Sequence, residues 1–113
     1  MKNKNTLSTI CIGTALLTIA LASVSAAEPK ETWEKTCTKC HGADGKGVTK
    51  IGKILAIKDF TDAQYQTSLK DDGMIKAIKE GIKDGDKTKM KPAEGLNDDE
   101  IKALVTYVRA FKK

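Results

Sequence analysis

The chain has 113 residues, enough for one domain, and its formal charge of +5 at pH 7 comes from lysines interspersed with carboxylates rather than from a cationic block. Aromatic residues make up only 4% of the chain and do not interleave with basic runs, which argues against a nucleic-acid partner. Acid–base catalysis finds no support either: there is one histidine, and the acidic residues are scattered among lysines, so no enzyme is expected.

Taken in order, the chain begins with Lys2 and Lys4, an apolar stretch from Ile10 to Leu21, and small residues from Ser23 to Ala27. Charged, apolar and small segments in that order make a secretory signal. The apolar stretch falls short of the roughly 20 residues a membrane-spanning helix requires. Cleavage after Ala26 or Ala27 is therefore expected rather than retention as an anchor, giving a signal peptide over 1–27, one domain over 28–113, and a bacterial periplasmic protein with no permanent membrane span. Removing the leader takes away two lysines and no acids, so the remaining chain stays modestly basic. Cys11 reads as filler within the leader, because Ser8-Thr9-Ile10 before it lacks the apolar and small residues of a lipoprotein site.

From Pro29 the sequence turns helical in period. Proline suits a first helical turn, and Trp33 stands four residues before Cys37, on the same face. The run Cys37-Thr38-Lys39-Cys40-His41 then holds the only cysteines outside the leader and the only histidine. C-x-x-C-H reads as a c-type haem attachment site. Two thiols three apart on a helical turn lie on one side of it, so both can form thioethers with the vinyl groups of one porphyrin. His41 follows at once, which holds its imidazole under the iron as the proximal ligand. Competing readings are weaker. A thioredoxin-like pair is expected beside a βαβ pattern, and no convincing strand is visible. Structural zinc wants four N or S ligands; this run offers three, with Cys40 and His41 too close for an unstrained tetrahedron. A Cys37–Cys40 disulfide is the state open to the chain before haem attachment, in an oxidising compartment.

Gly42-Ala43-Asp44-Gly45-Lys46-Gly47 is a loop, and because it does not follow a strand it is no phosphate cradle. Val48 to Lys58 carries few signals. Thr61, with Gln64 three residues on, has capping-box spacing and predicts a short helix over Asp62 to Leu69. Met74, Ile75, Ile78 and Ile82 recur at helical spacing from Asp71 to Ile82, with Gly81 near the stop. Lys83 to Gly95 reads as a loop, and Met90 lies in it. Asn97 caps the last helix, with Glu100 completing the box. Its buried stripe is Ile101, Leu104, Val105 and Val108, flanked by Tyr107 and Phe111, while Lys102, Arg109 and Lys113 are assigned to solvent.

From Trp33 through Cys37-Thr38-Lys39-Cys40-His41-Gly42 and Met90 to Ile101-Lys102-Ala103-Leu104-Val105-Thr106-Tyr107-Val108-Arg109, the chain resembles the small monohaem class I cytochromes c of bacteria. The likeness covers essentially everything after the leader. It implies an all-α fold of about four to five short helices around one haem c, bound covalently through Cys37 and Cys40. In that fold the first and last helices cross, bringing Leu104 and Tyr107 to Trp33. Of the two methionines outside the leader, Met74 belongs to an apolar stripe and reads as core. Met90 occupies the family's position for the distal ligand, so His41 and Met90 are the expected iron ligands. Two features depart from the family pattern. Relatives carry a proline in the Val48–Lys58 stretch whose carbonyl accepts the proximal histidine's N–H, and a proline directly after the methionine. Here the prolines are Pro29 and Pro92, with Lys91 intervening after Met90. His41 is then expected to find a backbone carbonyl near Ile51 or Gly52.

With both axial positions filled the iron has no vacancy for substrate, and electron transfer follows: a soluble, monomeric, periplasmic one-electron carrier. The soft thioether favours ferrous iron. The alternative is a haem-containing subunit or ligand sensor in which Met90 dissociates to open the iron. Lys39, Lys46, Lys87, Lys89 and Lys91 flank the attachment motif or the distal loop, which suits redox partners with an acidic docking surface. So short a chain has a small core, so the haem-free protein is expected to be poorly folded.

Overall fold

The computed structural model describes residues 27–113; the expected signal peptide lies outside them apart from Ala27. Among the described residues the order is α1 (Pro29–Thr36), α2 (Thr38–His41), α3 (Lys50–Ile54), α4 (Ala63–Ser68), α5 (Asp71–Glu80), β1 (Ile82–Asp84), β2 (Lys87–Met90) and α6 (Asp98–Arg109). The fold is all-α, as expected, with one added hairpin, and six helices occur among the described residues, α1 and α2 being interrupted only at Cys37.

Most of the molecule rests on α6. Asn97 accepts from the Glu100 N–H while the Glu100 carboxylate accepts from the Asn97 N–H, so the expected capping box is complete. Such a cap is worth about 1 kcal/mol. Ile101, Leu104, Val105 and Val108 are buried as their period requires. Against Leu104, Val105 and Val108 pack Trp33 from α1 and Met74 from α5, with Phe60, Leu69, Ile75 and Ile78 closing the cluster. The Trp33 ring lies 5.8 Å from Tyr107 and 5.1 Å from Phe111, so the first and last helices cross as expected. Gly45 takes φ +71°, and a side chain there would strike the Phe111 ring, so the loop after the attachment motif is also seated on the chain's last turn.

Two side chains knit α4 and α5 to α6. Gln66 is 2% exposed, and its amide donates to the carbonyls of Phe60 (2.7 Å) and Val108 (2.8 Å). Arg109 donates to the carbonyls of Gln66 and Leu69 and to the Asp71 carboxylate. Arg109 therefore departs from its solvent assignment: the helical wheel sets it off the apolar stripe, but the carbonyls at the end of α4 and the Asp71 carboxylate draw it across the surface.

Three local expectations are corrected. The cap of α4 is Asp62, which accepts from the Tyr65 N–H at 2.7 Å, whereas Thr61 donates to Asp59. An unanticipated helix, α3, starts where Thr49 accepts from the Gly52 N–H. Residues 83–95 are not all loop: α5 stops at Gly81, Ile82 leaves the helix, and an antiparallel hairpin pairs Ile82 with Met90, Lys83 with Thr88 and Asp84 with Lys87. Gly85 occupies the first loop position at φ +60°, the place a type II′ turn gives to glycine.

Candidate haem site

Cys37 breaks the helix between α1 and α2, and the α2 turn carries Cys40 and His41. The turn is clamped from the loop side. The His41 carbonyl accepts from the Gly47 N–H at 2.7 Å, and the Cys40 carbonyl accepts from the Thr49 hydroxyl at 2.7 Å. The same hydroxyl caps α3 by accepting from Gly52, and a Cβ at Gly52 would overlap the Gly47 carbonyl oxygen. On the other side the Trp33 indole donates to the Gly42 carbonyl at 3.1 Å. Sequence reasoning missed Thr49 and Gly52; a threonine three residues before a buried glycine is a weak signal without the fold.

The His41 ring stacks on Phe60, 5.1 Å between centroids and 20° from parallel, with Trp33 at 5.6 Å. Burial lowers its pKa, so the imidazole is neutral at pH 7 and its lone pair is available to a metal. Nδ1 is buried with no hydrogen-bond partner, so the expected bond to a carbonyl near Ile51 or Gly52 is not formed. Those carbonyls already accept from Leu55 and Ile57 respectively. Cys37 and Cys40 are free thiols. Burial, and then the neighbouring Cys40, push the Cys37 thiol up to about 11, so it is protonated at neutral pH.

All four expected site residues face one cleft. A cavity of about 660 Å³ is lined by Cys37, Cys40, His41 and Met90 together with Ile51, Leu55, Ile57, Phe60, Tyr65, Ile78 and Pro92. A second, of about 440 Å³, shares Cys37, His41, Phe60, Tyr65, Ile78, Ile82 and Met90 with it and reaches Met74 and Leu104. The α2 turn supplies one wall, and β2, ending at Met90, supplies another. Ala56, at φ +53°, bends the chain between Leu55 and Ile57 on the rim. Met74 is 9% exposed and sits within the core cluster, as its stripe implied.

Two thiols and a neutral imidazole on one apolar cleft are the groups a covalently attached iron porphyrin requires, and the Met90 thioether lines the same cleft. Zinc fits less well: no group of three or more His, Cys, Asp or Glu side chains able to hold a metal occurs among the described residues. No helix among them is long and apolar enough to cross a membrane.

The chain belongs to the cytochrome c family, whose model, described as Cytochrome c, matches residues 26–112. It is similar to the solved structure titled KustC0563 c-type cytochrome, with 37% identity, a TM-score of 0.67, and coverage of 76% of this chain and 99% of that one. A tyrosine-to-phenylalanine mutant of Kustc0563 gives 36% identity, a TM-score of 0.64 and coverage of 75% and 99%. No curated protein matches the chain. Its cofactor is haem c, with Cys37 and Cys40 in the C-x-x-C-H motif, and its class is that of haem c electron carriers serving redox partners.

Proposed function

We propose that this protein is a soluble, monomeric, exported carrier of single electrons in the bacterial periplasm, freed of residues 1–27, with its haem joined to Cys37 and Cys40 and ligated by His41 and Met90. The observation that carries this reading is the shared cleft: His41 and Met90 line both cavities with the Cys37 thiol, while the competing Met74 belongs to the core cluster and reaches only the smaller cavity. The haem would supply an iron that changes charge by one electron without releasing a ligand. The chain's own groups do the rest. His41 offers a neutral nitrogen and is kept from turning by Phe60 and Trp33. Met90 offers a soft sulfur, which favours the ferrous state. Ile51, Leu55, Ile57 and Ile78 surround the cleft with apolar side chains, and such surroundings further disfavour the more highly charged ferric state.

The test is optical. Mature protein should give a reduced-minus-oxidised spectrum of low-spin haem c, and the ferric form a sulfur-to-iron charge-transfer band. Met90→Ala should abolish that band and open the ferrous iron to carbon monoxide; an unchanged spectrum overturns the ligand assignment.

Lys39, Lys89 and Lys91 line the larger cavity, with Lys87 on the same hairpin and Lys46 on the loop after the attachment motif. A carrier so framed is steered toward an acidic partner surface. Electron exchange with that partner should slow as ionic strength rises, and a flat salt dependence overturns this docking mode.

A further inference from the structure

Met90 ends a strand that is exposed for most of its length, so what holds its main chain in place must come from α5. That helix is anchored in the core through Met74, with Ile75 and Ile78 packed beside it. Three contacts tie the distal segment to the end of α5. The Ala93 N–H donates to the Ile78 carbonyl at 2.8 Å. Ile82 pairs with Met90. Between them lies Gly81, at φ +75°, whose N–H donates to Ala77 and ends the helix. A Cβ at Gly81 would overlap the Met90 carbonyl oxygen and stand 2.9 Å from both N and Cδ of Pro92. These are main-chain and ring atoms, so no rotamer change relieves the clash. Gly81 thus meets two separate demands, a positive φ and the lack of any side chain where the distal segment passes, and both concern the segment that presents the thioether.

We propose that Gly81 is a positioning residue for Met90: its unsubstituted α-carbon and the Pro92 ring form the seat that sets where the Met90 main chain runs, and so where a thioether that would hold the haem is presented. This rests on the reading that Met90 binds iron. It also gives Pro92 a role despite the intervening Lys91, since the ring bears on Gly81 rather than on the residue next to it. Any side chain at Gly81 displaces the Met90 main chain, while the α2 turn, which carries Cys40 and His41, supplies none of the atoms nearest a Cβ there.

The experiment compares ferric charge-transfer bands and ferrous carbon monoxide binding in matured parent, Met90→Ala, Gly81→Ala, Gly85→Ala and Pro92→Ala proteins. Gly81→Ala should keep its haem attached, lose the band and bind carbon monoxide faster than the parent. Gly85→Ala is the control for backbone strain, because Gly85 has φ +60° on the same hairpin but a Cβ there meets nothing within 4 Å; its band should persist. Pro92→Ala removes half the seat without strain, and its band should bleach at a lower temperature than the parent's. That variant decides the matter if Gly81→Ala does not accumulate as holoprotein, and a band as heat-resistant as the parent's would then overturn the inference. A parental band and carbon monoxide rate in Gly81→Ala overturn it, as does loss of the band in Gly85→Ala. A band that survives Met90→Ala overturns the ligand reading beneath it, whereas one lost there and intact in Gly81→Ala overturns only the seat.

Discussion

Single residues decide how this chain closes around its cleft, and Gln66 is the plainest case. It is a polar side chain, almost wholly enclosed, holding the carbonyls of Phe60 and Val108 from one amide while its own oxygen accepts from Arg109. Gln66→Ala leaves these buried groups with fewer partners and a gap beside Val108, at a cost of about 2–3 kcal/mol. Denaturant titration should show that loss while the haem spectrum of the folded protein stays as in the parent. Nothing in the sequence marks Gln66, because glutamine on a short helix is ordinarily solvated; its burial is set by partners 42 and 43 residues away. The opposite holds for Cys37, Cys40 and His41, where chemistry dictates the spacing and the spacing can be read. Met90 stands between these cases. The resemblance marks its place in the chain, but the residues that seat it, Gly81 and Pro92, show only when helix end and strand are seen together.

The secondary-structure elements are legible in proportion to their length and caps. The Asn97 box and its apolar stripe announce α6, and Pro29 with Trp33 announces α1, because each combines a terminus signal with a period. α3 spans five residues and shows no stripe, so only the Thr49 cap could have betrayed it. The hairpin escapes a reading of the sequence although Asp84-Gly85-Asp86 is a recognised turn signal. Its strands are short and bear mostly lysine, aspartate and threonine, with no apolar alternation to mark a buried face. The spacing of Ile82 from Ile78 draws it into the helical period, yet Gly81 interrupts, and Ile82 ends 46% exposed. One glycine therefore divides a wall of the cleft into a rigid helix and an exposed ribbon. The functional consequence lies in the ribbon, which presents Met90.

At the scale of the molecule, the core is too small to stand by itself. Among the described residues six apolar side chains are buried, all on α1, α5 and α6. The α3 segment and the hairpin contribute Ile51, Ile82 and Met90 to the lining of the cleft and no side chain to that buried set. A covalently held macrocycle supplies the missing centre, as staples do in other small domains. A Cys37→Ala/Cys40→Ala protein, unable to attach haem, should retain some helical signal in circular dichroism but show no cooperative melt; a sharp, native-like transition would contradict this.

The crossing of the first and last helices bears on how such a protein is finished. Trp33 and the loop at Gly45 find partners in Leu104, Tyr107 and Phe111, near the chain's end. In a polypeptide delivered amino end first, Trp33 therefore waits for its partners Leu104, Tyr107 and Phe111 long after Cys37 and Cys40 have emerged. Whatever attaches the prosthetic group can meet both thiols before the first and last helices have latched together.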